Sequence, residues 1–138
     1  MLIIFGGLPG TGKTTIARGL ARQMRAMHLR IDSIEQVIRD LVPVIPALNE
    51  AGYRIAYAIA RDNLAIGRPV LADSVNPLSI TRDAWREVGQ RAQTSTIEIE
   101  VTCSDASEHR CRVESRTADI SGLKLPTWED VICREYHP

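Results

Sequence analysis

The chain has 138 residues, enough for about one domain whose core needs neither disulfides nor a structural metal. Its 17 Lys plus Arg balance its 17 Asp plus Glu, so it lacks the basic surplus that binders of duplex nucleic acid or tRNA usually carry. The three cysteines, Cys103, Cys111 and Cys133, are odd in number and show no C-x-x-C spacing, which excludes a disulfide framework and fits free thiols in a reducing cytosol.

The first apolar run, Leu2-Ile3-Ile4-Phe5, predicts a strand over 2–6. It is too short for the core of a secretory signal and has no basic start. Nothing later approaches the ~20 apolar residues that span a bilayer, so a cytoplasmic protein with no membrane partner is expected. Directly after the strand comes GLPGTGKTT, from Gly7 to Thr15. Gly7, four residues, then Gly12-Lys13-Thr14 satisfies every fixed position of G-x-x-x-x-G-K-[ST], with Leu8, Pro9, Gly10, Thr11 and Thr15 completing the loop. Gly10 and Gly12 open backbone conformations closed to residues with a Cβ, so successive N–H groups can turn inward around a polyphosphate. Lys13 is expected to reach the β- and γ-phosphates, and the Thr14 hydroxyl to join the shell of a bridging Mg²⁺. ATP or GTP is therefore the first ligand to consider. The absence of an N-K-x-D guanine-reading signature favours ATP.

Ile16, Ala17, Leu20, Ala21 and Met24 recur at helical spacing, so the loop should open a helix over 13–27 whose N-terminal dipole faces the anion. A strand is predicted over 28–32, then a helix from Ser33, with Ser33 as N-cap and Gln36 at the third helical position. Pro43 and Pro46 must stop it. A helix over about 49–66 should bury Ala51, Ile55, Ala58, Ile59 and Leu64. A third strand follows at 70–72, a loop at 73–78 and a helix over 80–92. Ile97-Glu98-Ile99-Glu100-Val101 alternates strictly, where a strand buried on both faces would read as a continuous apolar run. It is therefore expected at an edge or with one solvated face. A charged helix over 105–116, a loop containing Gly122 and Pro126, and a short helix opened by the capping box Thr127-x-x-Asp130 complete the chain.

Alternating strands and helices imply an α/β class: a three-layer fold with a parallel sheet of about four strands between helices. Such a fold normally carries a fifth strand, which suggests truncation after Pro138. Cys103, His109 and Cys111 lack a second ligand pair at suitable spacing, so no zinc site is expected. Asp32 stands at the end of the second strand, in the crevice where open α/β sheets hold ligands. Arg39, seven residues on, falls on roughly the same helical face as Asp32. Asp73 and Asn76 follow the third strand, with Arg82 beyond them, and Arg110, Arg112 and Arg116 lie on the charged helix. Asn76, ahead of Pro77, reads equally as a turn residue, and the arginines equally as a solvated face in which Glu108 pairs with Arg112.

With the phosphate loop, this order of residues resembles the small P-loop kinases, the group containing chloramphenicol phosphotransferase, gluconate and shikimate kinases, adenylylsulfate kinase and zeta-toxin-like kinases. Such chains are often described as AAA-family ATPases. The resemblance implies a single P-loop kinase-like domain over 1–138 with a lid over about 105–127. It also implies transfer of the γ-phosphoryl group of ATP, with Mg²⁺, to a hydroxyl of a small molecule. By the same resemblance Asp32 meets the acceptor hydroxyl, and Asp73 orients water on Mg²⁺ or contacts the acceptor. Arg39, Asn76 and Arg82 serve the acceptor side, and Lys13, Arg112 and Arg116 stabilise charge on the transferred group. The segment 43–62 corresponds to an acceptor-specific lid lined by Leu41, Val42, Val44, Ile45 and Leu48, with Tyr53, Arg54 and Tyr57 adding polar reach; the same stripe reads equally as core. Two rival readings remain open: a kinase of a nucleic-acid end or nucleotide-sugar, and an ATPase or regulatory switch with no acceptor.

Overall fold

The computed structural model describes residues 1–41 and 48–137. In chain order the elements are β1 (Leu2–Gly6), α1 (Lys13–Met24), β2 (Met27–Arg30), α2 (Ile31–Leu41), α3 (Leu48–Ala65), β3 (Val70–Asp73), α4 (Ser79–Arg91), β4 (Thr96–Glu100), α5 (Ala106–Ser115) and α6 (Trp128–Ile132). The expectations for Val42, Pro43, Val44, Ile45 and Pro46, and for the side chain of Leu48, lie outside the described residues.

The four strands pair in parallel in the order β2-β3-β1-β4. β1 and β3 occupy the centre, and their apolar runs are buried because helices cover both faces. β4 forms an edge, which accounts for its alternation: Ile97 and both glutamates are exposed. On one face Leu2, Ile4, Val70 and Ala72 pack with Ala56, Ala60, Leu64 and Trp85 from α3 and α4. On the other, Ile3, Phe5 and Leu71 meet Ala17 and Ala21, whose small side chains seat α1 on the sheet.

Three expected boundaries shift. α1 stops at Met24 because Arg25 turns into the left-handed region (φ 51°) and the Ala26 N–H closes on the Ala21 carbonyl at 3.0 Å, the geometry of a helix-ending Schellman turn. The chain therefore enters β2 early, and α2 begins at Ile31, so Ser33 is not its N-cap. Asp32 consequently lies in the first turn of α2, where the helix dipole favours a carboxylate. In α3 the buried row is Gly52, Ala56, Ala60 and Leu64; Leu64 is buried as expected, whereas Ala51, Ala58 and Ile59 are half-buried and Ile55 is exposed.

The turns at the C-terminal ends of the strands are tied together by backbone hydrogen bonds. The Gly7 N–H donates to the Val75 carbonyl at 3.0 Å and the Val101 N–H to the Gly6 carbonyl at 2.9 Å. The first ties the loop after β1 to the turn after β3, and the second ties the end of β1 to the residue after β4.

Trp85 is 0 % exposed, with the Tyr57 ring edge-on at 4.6 Å. Trp85→Ala is expected to lower stability by about 3–5 kcal/mol through lost burial and the cavity left behind. Urea unfolding of variant and parent measures it.

Candidate functional site

The loop after β1 is shaped by three glycines at positive φ: Gly7 at 129°, Gly10 at 85° and Gly12 at 100°. A Cβ at Gly7 would fall 2.2 Å from the Val101 carbonyl oxygen, and one at Gly10 would fall 2.5 Å from Val113 Cγ2, so strand end and helix can approach only over bare backbone. Gly12 caps α1 without a side-chain acceptor. The first-turn N–H groups of that helix are thus left for a ligand, the arrangement that binds anions. The Leu8 carbonyl accepts from Thr11 Oγ1 at 2.9 Å and from Lys13 Nζ at 2.8 Å.

Lys13 is only 8 % exposed. Burial lowers its pKa to about 8; Asp73 and Asp32 pull it upward, while Arg116 and Arg134 push it down. An ammonium held this far out of water is strongly drawn to added negative charge. A polyphosphate therefore fits the residues present, and the Thr14 hydroxyl at the cavity wall fits a Mg²⁺ shared with phosphate oxygens.

The loop opens on a cavity of about 1120 Å³. Pro9, Gly10, Gly12, Lys13, Thr14 and Thr15 line one side, and Asp32, Glu35, Tyr53, Tyr57 and Asp73 the other. Gly7, Leu8 and Thr11 shape the loop from behind. Asp73 is 3 % exposed and lies 3.0 Å from His28 Nε2. Asp32 is half exposed, 3.7 Å from Arg30. Arg39 reaches the cavity while its guanidinium donates to Gln36 Oε1 at 2.8 Å.

The structure does not bring Asn76 or Arg82 to this cavity. Asn76 is fully buried at φ 47°, and its Nδ2 donates to the Phe5 carbonyl at 2.7 Å. Arg82 donates to the Asn76 carbonyl at 2.9 Å. Both brace the turn after β3, because a backbone carbonyl at the sheet end needs a donor once it is buried.

The arginines of the C-terminal third divide. Arg112 touches the cavity, but it is exposed and donates to Glu108 Oε1 at 2.7 Å; Arg110 pairs with Glu114 on the outer surface. α5 ends at Ser115, and Arg116 is extended (ψ 148°), so Arg112 and Arg116 do not share a helical face. That extension turns Arg116 into the cavity, half buried, with its Nε lacking a hydrogen-bond partner. Farther along, Asp119 accepts from both Arg18 and Arg30, tying the segment after α5 to α1 and β2.

Several cavity residues were not singled out from the sequence. Glu35 lines the site three residues after Asp32, one helical turn along, which was a usable signal. A Cβ at Gly52 would lie 2.5 Å from Glu35 Cγ, so that glycine makes room for the Glu35 side chain beside α3. Arg134 and Asp119 come from irregular or short segments where no periodicity points inward.

The chain belongs to the AAA domain family, whose model matches residues 2–131. It is 31% identical over 118 residues to the ATP-dependent protease ATPase subunit HslU of Rhodospirillum centenum, a match covering 76% of this chain and 27% of that protein. The chain thus spans about a quarter of that relative's length. Kti12 of Chaetomium thermophilum, solved with ADP-AlF3, superposes with a TM-score of 0.73 at 23% identity, covering 100% of this chain and 81% of that chain. The APS kinase CysC of Mycobacterium tuberculosis, in complex with AMPPNP and APS, gives 0.64 at 21% identity, covering 80% and 66%. At these identities the likeness establishes the architecture, an α/β P-loop NTPase fold.

Glu35 gives the cavity a measurable pH signature. Burial, with Asp32 adding to it, raises its pKa from 4.5 to about 7, against the pull of Arg39 and Arg134. Between those values the folded chain holds a proton that the unfolded chain has released, so this carboxyl makes stability fall as pH rises from 4.5 to 7. Glu35→Gln is expected to be more stable than the parent at pH 8 by about 1 kcal/mol, after discounting for the solvent the side chain keeps. The two should converge near pH 4, as urea unfolding at both pH values would show.

Proposed function

We propose that the chain is an ATP- and Mg²⁺-dependent phosphotransferase that moves the γ-phosphoryl group to a hydroxyl of a small-molecule acceptor in the cytoplasm. The observation that carries this reading is the single cavity joining the glycine loop and Lys13 to the carboxylates and tyrosines of α2 and α3. One wall suits a polyphosphate and the opposite wall suits a polar organic molecule. The APS kinase, solved with AMPPNP and APS, lends support as a neighbour of the same fold.

In this reading residues 1–138 act as one kinase domain and 105–127 as its lid. The loop amides and Lys13 hold the β- and γ-phosphates, and the Thr14 hydroxyl would hold a Mg²⁺ that, when bound, would offset part of their negative charge. Among the described residues no three His, Cys, Asp or Glu side chains converge on a metal, so a bound Mg²⁺ would draw the rest of its ligands from phosphate and water oxygens. Asp32 orients the acceptor hydroxyl and takes its proton. Asp73, fixed by His28, orients water on the metal side. Arg116 stabilises charge on the group in transit, and Arg112 joins it by leaving Glu108, an exposed pair of small energy. Positioning is the main task, since phosphoryl transfer asks little covalent chemistry of the protein.

The likeness to HslU favours a second reading, an ATPase without an acceptor. Incubation with γ-labelled ATP and a panel of hydroxyl-bearing metabolites and antibiotics, followed by mass spectrometry, separates the two. A labelled acceptor is the expected result. ATP consumption that no hydroxyl compound changes supports the ATPase. Lys13→Ala is expected to lose turnover by ~10²-fold or more while remaining folded, since it removes both the phosphate contact and a buried charge. Retained turnover would count against the scheme.

A further inference from the structure

His109 is 7 % exposed, on the face of α5 turned toward the glycine loop. Its Nε2 lies 2.8 Å from the Pro9 carbonyl oxygen, across 100 residues of sequence. A carbonyl only accepts, so Nε2 carries the hydrogen and donates. The Trp128 ring stands edge-to-face with the imidazole at 5.1 Å. Trp128 in turn opens α6, where the Thr127 side chain and Asp130 form a reciprocal capping box. Val113, one turn beyond His109, sits where a side chain at Gly10 would be.

We propose that His109 is a positioning residue for the phosphate loop, holding the Pro9–Gly10 peptide so that the Gly10 N–H faces the bound phosphates. In a trans peptide the C=O of one residue and the N–H of the next point in opposite directions. His109 is absent from the cavity wall that Pro9 and Gly10 help to line. The Pro9 carbonyl therefore points out of the cavity toward α5, and the Gly10 N–H points into it. Gly10 at φ 85° has the freedom to let this peptide rotate, so the orientation needs an external restraint. With the peptide turned over, a carbonyl oxygen would face the phosphates and repel them. The same contact couples the loop to α5, the first element of the proposed lid.

The inference rests on the nucleotide reading above, and its test separates the two. AMPPNP is titrated into the parent, His109→Leu and His109→Gln by calorimetry, and the Gly10 amide of the parent is followed by NMR. In the parent, AMPPNP is expected to bind and to shift the Gly10 amide. His109→Leu, which has no donor, should weaken AMPPNP by ~10-fold, the scale of one hydrogen bond in the cradle. His109→Gln, whose amide supplies a donor of similar reach, should come within ~3-fold of the parent. A purely structural role would lower the urea midpoints of both variants and leave Gln unable to rescue binding. AMPPNP affinity unchanged in His109→Leu, loss of equal size in both variants, or a Gly10 amide unmoved by bound AMPPNP would each overturn the proposal. A parent that fails to bind AMPPNP overturns the nucleotide reading itself.

Discussion

The burial of the Lys13 ammonium at the head of α1 is the constraint around which the rest of the molecule is arranged. A charge withdrawn from water must be met by nearby acceptors and opposite charge. The Leu8 carbonyl supplies the first and Asp73 and Asp32 the second. Each partner arrives by a different route: Leu8 from the loop after β1, Asp73 from the end of β3, and Asp32 from the first turn of α2. The strand order β2-β3-β1 sets these three chain ends side by side. The parallel sheet thus does for the site what no local sequence could do, converging groups from residues 8, 32 and 73 on one cation.

The shape of the glycine loop was legible, because it is local: the residues that turn it are consecutive, and Gly7, Gly10 and Gly12 take the positive φ that their spacing implies. The edge position of β4 was legible for a similar reason, since a strand without a continuous apolar run is not one that helices cover on both faces. Sequence failed where the decisive contact is long-range. Asn76 and Arg82 stand in the right part of the chain for substrate contacts, yet the Phe5 carbonyl at the sheet end captures Asn76, and the Asn76 carbonyl engages Arg82. Arg112 and Arg116 both line the cavity, but not from one helical face, because the helix ends between them. His109 looked only like a failed metal ligand, because nothing in its neighbourhood announces a partner one hundred residues away.

Overall neutrality misdescribes the site. Basic side chains outnumber carboxylates along the cavity wall, while the compensating acids lie elsewhere on the surface. Net charge is a sum over the whole molecule, but a cleft with low-dielectric walls concentrates the field of the groups that line it. Zero net charge therefore weighs against a polynucleotide spread over the surface and leaves a compact polyanion within the cavity electrostatically favoured.

The polar contacts around the cavity fall into two physical kinds, and the difference bears on how such a site could close. Asn76 and His109 are buried and bonded to backbone carbonyls, so breaking either leaves an unpaired group away from water. Arg18, Arg112 and the carboxylate of Asp119 form exposed ion pairs, each of small energy and easily exchanged for another anion. Arg30 lies between the kinds: its side chain is largely buried, yet its partner Asp119 is exposed and its Nε has no partner. A polyphosphate entering the cavity would leave the first set intact and compete for the second. The turn after β3 and the glycine loop are therefore built to keep their shape, and the arginine wall to change partners. The rigid contacts are made to backbone and the exchangeable ones between side chains.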